Sequence, residues 1–141
     1  MSDFERAVAH VLRFEGGYSD DKSDPGGETN FGISKRAHPT LDIKHLTKVE
    51  ASAIYQRDYW TKNGCDTMAW PLSLIHFDTC VNLGAAKASG MLARSNGDAA
   101  KYLADRRAYY ERLIAKKPAL VKYRNGWLNR VHALETLATE A

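Results

Sequence analysis

A helix that carries a glutamate to its end and then meets two glycines must stop there, and this chain does so at Glu15-Gly16-Gly17. Upstream, Phe4, Ala7, Val8, Val11 and Leu12 recur at helical spacing, the mark of an amphipathic helix with one face toward a core. Ser2 and Asp3 are good N-cap residues and Glu5 falls in the first turn, so the helix is predicted to begin near Ser2 or Asp3. Glycine accepts the left-handed backbone of a helix C-terminus. Glu15 is therefore expected in the last turn, beside carbonyls that carry partial negative charge. That charge disfavours a carboxylate, and packing against Phe14, Tyr18 or Phe31 would add desolvation. A glutamic acid that keeps its proton near neutral pH is a usable general acid.

The segment after Glu15 is dense in acids and turn formers. Asp20, Asp21, Asp24 and Glu28 lie on a loop with Gly16, Gly17, Pro25, Gly26 and Gly27, residues that permit sharp turns. Asn30-Phe31-Gly32-Ile33 reads as a short extended segment, one arm of a small β-hairpin. The plain alternatives are a solvated turn or a calcium loop, and the alternating ligand spacing and closing Glu of an EF-hand are not met. Cleavage of a glycosidic bond, by contrast, asks for one protonated acid and a second polar group on the other face of the sugar.

The pattern Glu15-Gly16-Gly17-Tyr18, Asp20, Asp24-Pro25-Gly26-Gly27, Thr29 and Phe31-Gly32-Ile33 closely resembles glycoside hydrolase family 108, the phage-endolysin type of peptidoglycan N-acetylmuramidase within the lysozyme-like superfamily. Phe77-Asp78-Thr79-Cys80-Val81-Asn82-Leu83-Gly84 resembles a second segment of that family. Arg106-Arg107, Tyr109-Tyr110 and Gly126-Trp127 with Asn129-Arg130 resemble its helical peptidoglycan-binding segment. The resemblance implies Glu15 as the catalytic acid, Asp24 as the loop aspartate and Thr29 as its neighbour. It implies cleavage of the β-1,4 bond between N-acetylmuramic acid and N-acetylglucosamine. A lytic transglycosylase, or a non-catalytic wall-binding or secretion-assisting protein, would share the fold.

The rest of the chain reads as helices. Thr47-Lys48-Val49-Glu50 is a capping box opening a helix to about Lys62. Pro71 suits a first turn, and Leu72, Leu74, Ile75, Asp78 and Val81 come next on a helix apolar nearly all round, placed at the centre of the core. Ala85 to Arg94 is rich in small residues, Asn96-Gly97-Asp98 is a turn and cap, a long helix runs to about Lys116, and a last one covers about Asn125 to Thr139. The expected fold is mainly α and lysozyme-like, with at most a small β-hairpin after the catalytic loop. One compact domain is expected over 1–141, its catalytic core 1–90 and its peptidoglycan-binding-like helical segment 91–141.

Aromatic faces pack on pyranose rings, and Tyr18, Tyr59 and Trp60 are candidates for substrate binding; at helical spacing such residues are more often core. Asn82 either holds an acetamido group or caps a helix end. Two cysteines, Cys65 and Cys80, make neither a disulfide framework nor a zinc site, and the histidines lack metal-ligand spacing; no metal and no cofactor are expected. The formal net charge of +3 in 141 residues is mild. It suits an anionic wall polymer, while the scatter of basic residues and the absence of a nucleic-acid motif argue against nucleic acid. Met1-Ser2-Asp3-Phe4-Glu5 lacks the basic start and apolar core of a secretory signal, and no stretch is long enough for stable membrane insertion. The expected protein is a monomer made in the cytoplasm. Its partner is peptidoglycan glycan strands, reached in the periplasm after release through the inner membrane by a holin or a secretion system.

Overall fold

The computed structural model describes residues 1–23 and 25–140; Asp24 and Ala141 lie outside the described residues. The chain divides into two compact units, Met1–Lys62 and Asn63–Ala141. Among the described residues there are six α-helices and one two-stranded sheet, so the fold is mainly α with a small hairpin, as the sequence predicts.

The first unit begins with α1, Asp3–Phe14. The Ser2 hydroxyl accepts the Glu5 N–H at 3.1 Å, satisfying a donor that the first helical turn leaves without a partner. Ala7, Val8, His10 and Val11 form the buried stripe. A tight hairpin comes next, with β1, Thr29–Asn30, antiparallel to β2, Ile33–Ser34. Its two-residue turn has positive φ at both Phe31 (52°) and Gly32 (78°), the handedness that matches strand twist in short hairpins. The buried Asn30 donates its amide to the carbonyls of Ile43 (3.1 Å) and Lys44 (3.4 Å), fastening the hairpin to the segment before the next helix.

That helix is α2, Lys48–Tyr55. The predicted capping box is complete: Thr47 Oγ1 accepts from the Glu50 N–H, and Glu50 accepts from the Thr47 N–H. A uniform helix to Lys62 is not what forms. After Tyr55 the backbone widens into a π-helical stretch, Gln56–Thr61. The wider turn changes side-chain register; Trp60 ends 5% exposed, edge-on to Phe4 at 5.6 Å.

The second unit is built on α3, Leu72–Leu83. Every residue from Ser73 to Cys80 is buried, which fits the all-round apolar character read from the sequence. Beside it run α4, Ala85–Ser95, α5, Ala99–Lys116, and α6, Arg124–Thr139. A segment boundary at residues 90–91 would fall inside α4. Asn96 and Gly97 turn with φ of 50° and 82°, and Asp98 caps α5 by accepting the Lys101 N–H at 3.1 Å.

The core of this unit is not purely apolar. Asp78, fully buried, receives Arg106 Nη1 at 2.7 Å and Arg130 Nη2 at 2.9 Å. The buried Arg106 also donates to Thr79 Oγ1 (2.9 Å) and to the Tyr110 hydroxyl (3.0 Å). Buried charges persist only when paired and hydrogen-bonded in this way. A second polar chain joins His76 Nδ1 to the Tyr102 hydroxyl at 2.8 Å, and that hydroxyl donates to the Ala88 carbonyl at 3.2 Å. Burial holds the His76 imidazole below its usual value. It pushes the Cys65 and Cys80 thiols up to about 12, so both are unreactive buried thiols.

Candidate active site

Glu15 is the residue at which α1 ends. It stands at the C-cap with φ −94° and ψ 17°, and its N–H still reaches the Val11 carbonyl at 3.0 Å. Gly16 comes next at φ 52°, the left-handed step that the glycine pair predicts. The position is one residue beyond the expected last turn, and the side chain is half-buried.

The hairpin is the wall that Glu15 leans on. A methyl group placed on Gly32 would stand 2.9 Å from Glu15 Cβ and 2.9 Å from Glu15 Oε2. The carboxyl group therefore lies against the bare backbone of the turn. Thr29, at the base of the hairpin, is tied to Ser19 by two backbone hydrogen bonds of 2.8 Å. This bridge folds the start of the glycine-rich loop back onto the sheet and keeps Thr29 in the same unit as Glu15. Asp24, the expected partner carboxylate, lies outside the described residues.

Two of the described loop acids, Asp21 and Glu28, have local roles. Asp21 accepts both the N–H and the hydroxyl of Ser23, at 2.9 and 2.7 Å, and these bonds hold its carboxyl below the usual range. Glu28 accepts the Tyr18 hydroxyl at 2.7 Å. Donating to a carboxylate pushes the Tyr18 phenol up to about 12, so it stays a hydrogen-bond donor. Tyr18 is 41% exposed. Tyr59 is half-buried, tilted against Tyr55 at 5.4 Å. Trp60 packs in the core of the unit, where a sugar ring has little to reach.

Asn82 belongs to the second unit. Its Oδ1 accepts the Tyr110 hydroxyl at 2.5 Å and Arg106 Nη2 at 3.3 Å, so its amide orientation is fixed from within that unit. Among the described residues no three His, Cys, Asp or Glu side chains gather as a metal site. No described helix is long and apolar enough to cross a membrane.

The family profile described as glycosyl hydrolase 108 matches residues 8–84, more than half of the chain. The protein belongs to glycosyl hydrolase family 108. The matched span holds Glu15, Thr29, Gly32, Tyr55 and Asn82, while α5 and α6 lie beyond it. The structure is similar to that of Brucella abortus SagA, at 25% identity and a TM-score of 0.74, covering 96% of this chain and 92% of that one. No curated protein sequence matches the chain. Membership of family 108 and the likeness to SagA support a peptidoglycan-hydrolase type of function.

Sequence reasoning assigns no part to two residues at this site. Gly32 reads there only as part of a short extended segment, and nothing in the sequence marks Tyr55 as a partner of the hairpin. Tyr55 donates its hydroxyl to the Phe31 carbonyl at 2.7 Å, a contact across 24 residues that no local pattern signals. For Gly32 a signal is present: a glycine between two bulky apolar residues in a hairpin marks a close approach.

Proposed function

We propose that this family 108 protein is an N-acetylmuramidase, hydrolysing the β-1,4 bond between N-acetylmuramic acid and N-acetylglucosamine in the manner of a phage endolysin. The observation that carries the reading is Glu15, a half-buried acid at the end of α1 resting against the hairpin turn. In this mechanism Glu15 gives its proton to the glycosidic oxygen as the bond from C1 breaks. Asp24, with the Thr29 hydroxyl nearby, takes a proton from a water whose oxygen bonds to C1 from the opposite face. A carboxyl separation of roughly 6.5–9.5 Å goes with inversion, and about 5–5.5 Å with retention through a covalent intermediate. Tyr18 and Tyr59 are the aromatic groups proposed to flank the sugar. Delivery to the wall would fall to a holin or a secretion system.

The test is a digest of purified peptidoglycan with wild type and Glu15→Gln side by side, read by mass spectrometry. The expected result is muropeptides with reducing ends from wild type and about 10²–10⁴-fold slower release from the folded variant. Anhydro ends would mean a lytic transglycosylase. A folded Glu15→Gln that releases fragments at the wild-type rate removes Glu15 from the mechanism.

A further inference from the structure

The hairpin turn beside Glu15 is built against local preference. Phe31 holds φ 52° and Gly32 holds φ 78°, and a bulky residue at positive φ is an outlier that the surroundings must enforce. Turns of this handedness ordinarily use Asn-Gly or Gly-Gly. Here the enforcing contact is the Tyr55 hydroxyl on the Phe31 carbonyl at 2.7 Å. Tyr55 is 1% exposed on α2, so packing fixes the phenol and the phenol fixes the turn.

Gly32 has a separate duty. A Cβ there would meet the Tyr55 hydroxyl at 2.5 Å, Glu15 Cβ at 2.9 Å and Glu15 Oε2 at 2.9 Å. The first is the end of a buried side chain and the second is the root of another, so neither swings aside. Gly16, Gly27 and Gly97 also have positive φ, yet a Cβ on any of them meets nothing within 4 Å. At those three positions glycine serves the backbone alone; at Gly32 it also makes room for the carboxyl group.

We propose that Gly32 and Tyr55 are positioning residues for the Glu15 acid: Tyr55 pins the turn through the Phe31 carbonyl, and the bare Cα of Gly32 is the seat on which the carboxyl rests. The proposal rests on the muramidase reading for its catalytic consequence and on geometry alone for the placement. Misplacing a reacting group by about an ångström costs on the order of 10²-fold in rate.

The experiment compares wild type, Gly32→Ala, Tyr55→Phe and Gly97→Ala on soluble glycan strands of alternating N-acetylmuramic acid and N-acetylglucosamine. Each protein is checked for folding, and the proton–proton Overhauser contact between Gly32 Hα and the Glu15 side chain is recorded. Gly97→Ala bears the same positive-φ strain in open space and is expected to keep kcat within about twofold of wild type. Gly32→Ala and Tyr55→Phe are expected to lose about 10²-fold in kcat with KM nearly unchanged, and Tyr55→Phe to weaken the Overhauser contact. Tyr55→Phe retains the glycine, so it carries the test should Gly32→Ala fail to fold. Active wild type with a folded Tyr55→Phe of equal kcat overturns the proposal alone, and a loss confined to KM makes Tyr55 a sugar contact instead. Wild type that shows the Overhauser contact yet releases no fragment overturns the muramidase reading and leaves the seat of the carboxyl group standing.

Discussion

The two units of this protein reach order by different physical means. In Met1–Lys62 the decisive features act on the backbone: a helix stopped by Gly16, a hairpin turned at Phe31-Gly32 and pinned there by the Tyr55 hydroxyl, and a loop closed by the Ser19–Thr29 bridge. In Asn63–Ala141 they are side-chain ones: Asp78 between Arg106 and Arg130, and His76 against Tyr102. Each unit is therefore vulnerable in its own way. Backbone-built geometry holds a reactive group with little buried charge. A buried ion cluster, once broken, leaves a charge with nowhere to go.

Loss of Glu15 should matter most to chemistry and least to stability. Glu15→Gln is expected to lower muropeptide release by about 10²–10⁴-fold with an unchanged melting curve, because only the proton donor is lost. If it melts the protein instead, the first unit depends on side-chain charge and the contrast fails. Asp78→Ala strands two guanidinium groups in the second unit, and urea unfolding should show a loss of about 3–5 kcal/mol. A loss below about 1 kcal/mol would mean that the cluster is solvated and the second unit is ordinary.

Acid should act on the second unit through its buried imidazole. The His76 ring is held below its usual value by burial, so the unfolded chain binds the proton first as pH falls below about 6.5. The stability contributed by the neutral ring is fully present above that pH and is lost as pH falls toward the folded value. Unfolding free energies from urea titrations should drop as pH falls from about 7.5 through about 6.5, by at most ~1.4 kcal/mol per pH unit for this one proton. His76→Gln should reduce the slope. Thr47→Ala removes one half of the capping box on α2 and should cost about 1 kcal/mol in thermal unfolding. Val49, 80% exposed on the same helix, should tolerate Ser within about 0.5 kcal/mol.

Much of the first unit is legible because its signals are local. Ser2, Gly16 and the Thr47–Glu50 box each act within four residues, and α1 and the start of α2 form where those residues put them; Asn30 to Ile33, which reads as one extended arm, instead turns at Phe31-Gly32 and holds parts of both strands. The π-helical stretch after Tyr55 is not legible, since it depends on where Trp60 finds a pocket beside Phe4. In the second unit the helices can be read from apolar spacing and caps, but their partners cannot. Asp78 and Arg130 are 52 residues apart, and nothing near either one names the other. Asn82, by sequence as readily a sugar ligand as a cap, has its carbonyl oxygen held by Tyr110 and Arg106 from α5.

Local sequence is enough to set where helices start and stop, which acid stands at the end of the first, and the family to which the chain belongs, because caps, glycines and short motifs work over a few residues. It took the folded chain to make a phenol from α2 pin the Phe31 carbonyl, to bring the Glu15 carboxyl into the space that Gly32 leaves open, and to set Asp78 between arginines from two other helices. Those contacts join residues far apart in the chain, and they form only once packing has removed water and made each polar group find its partner.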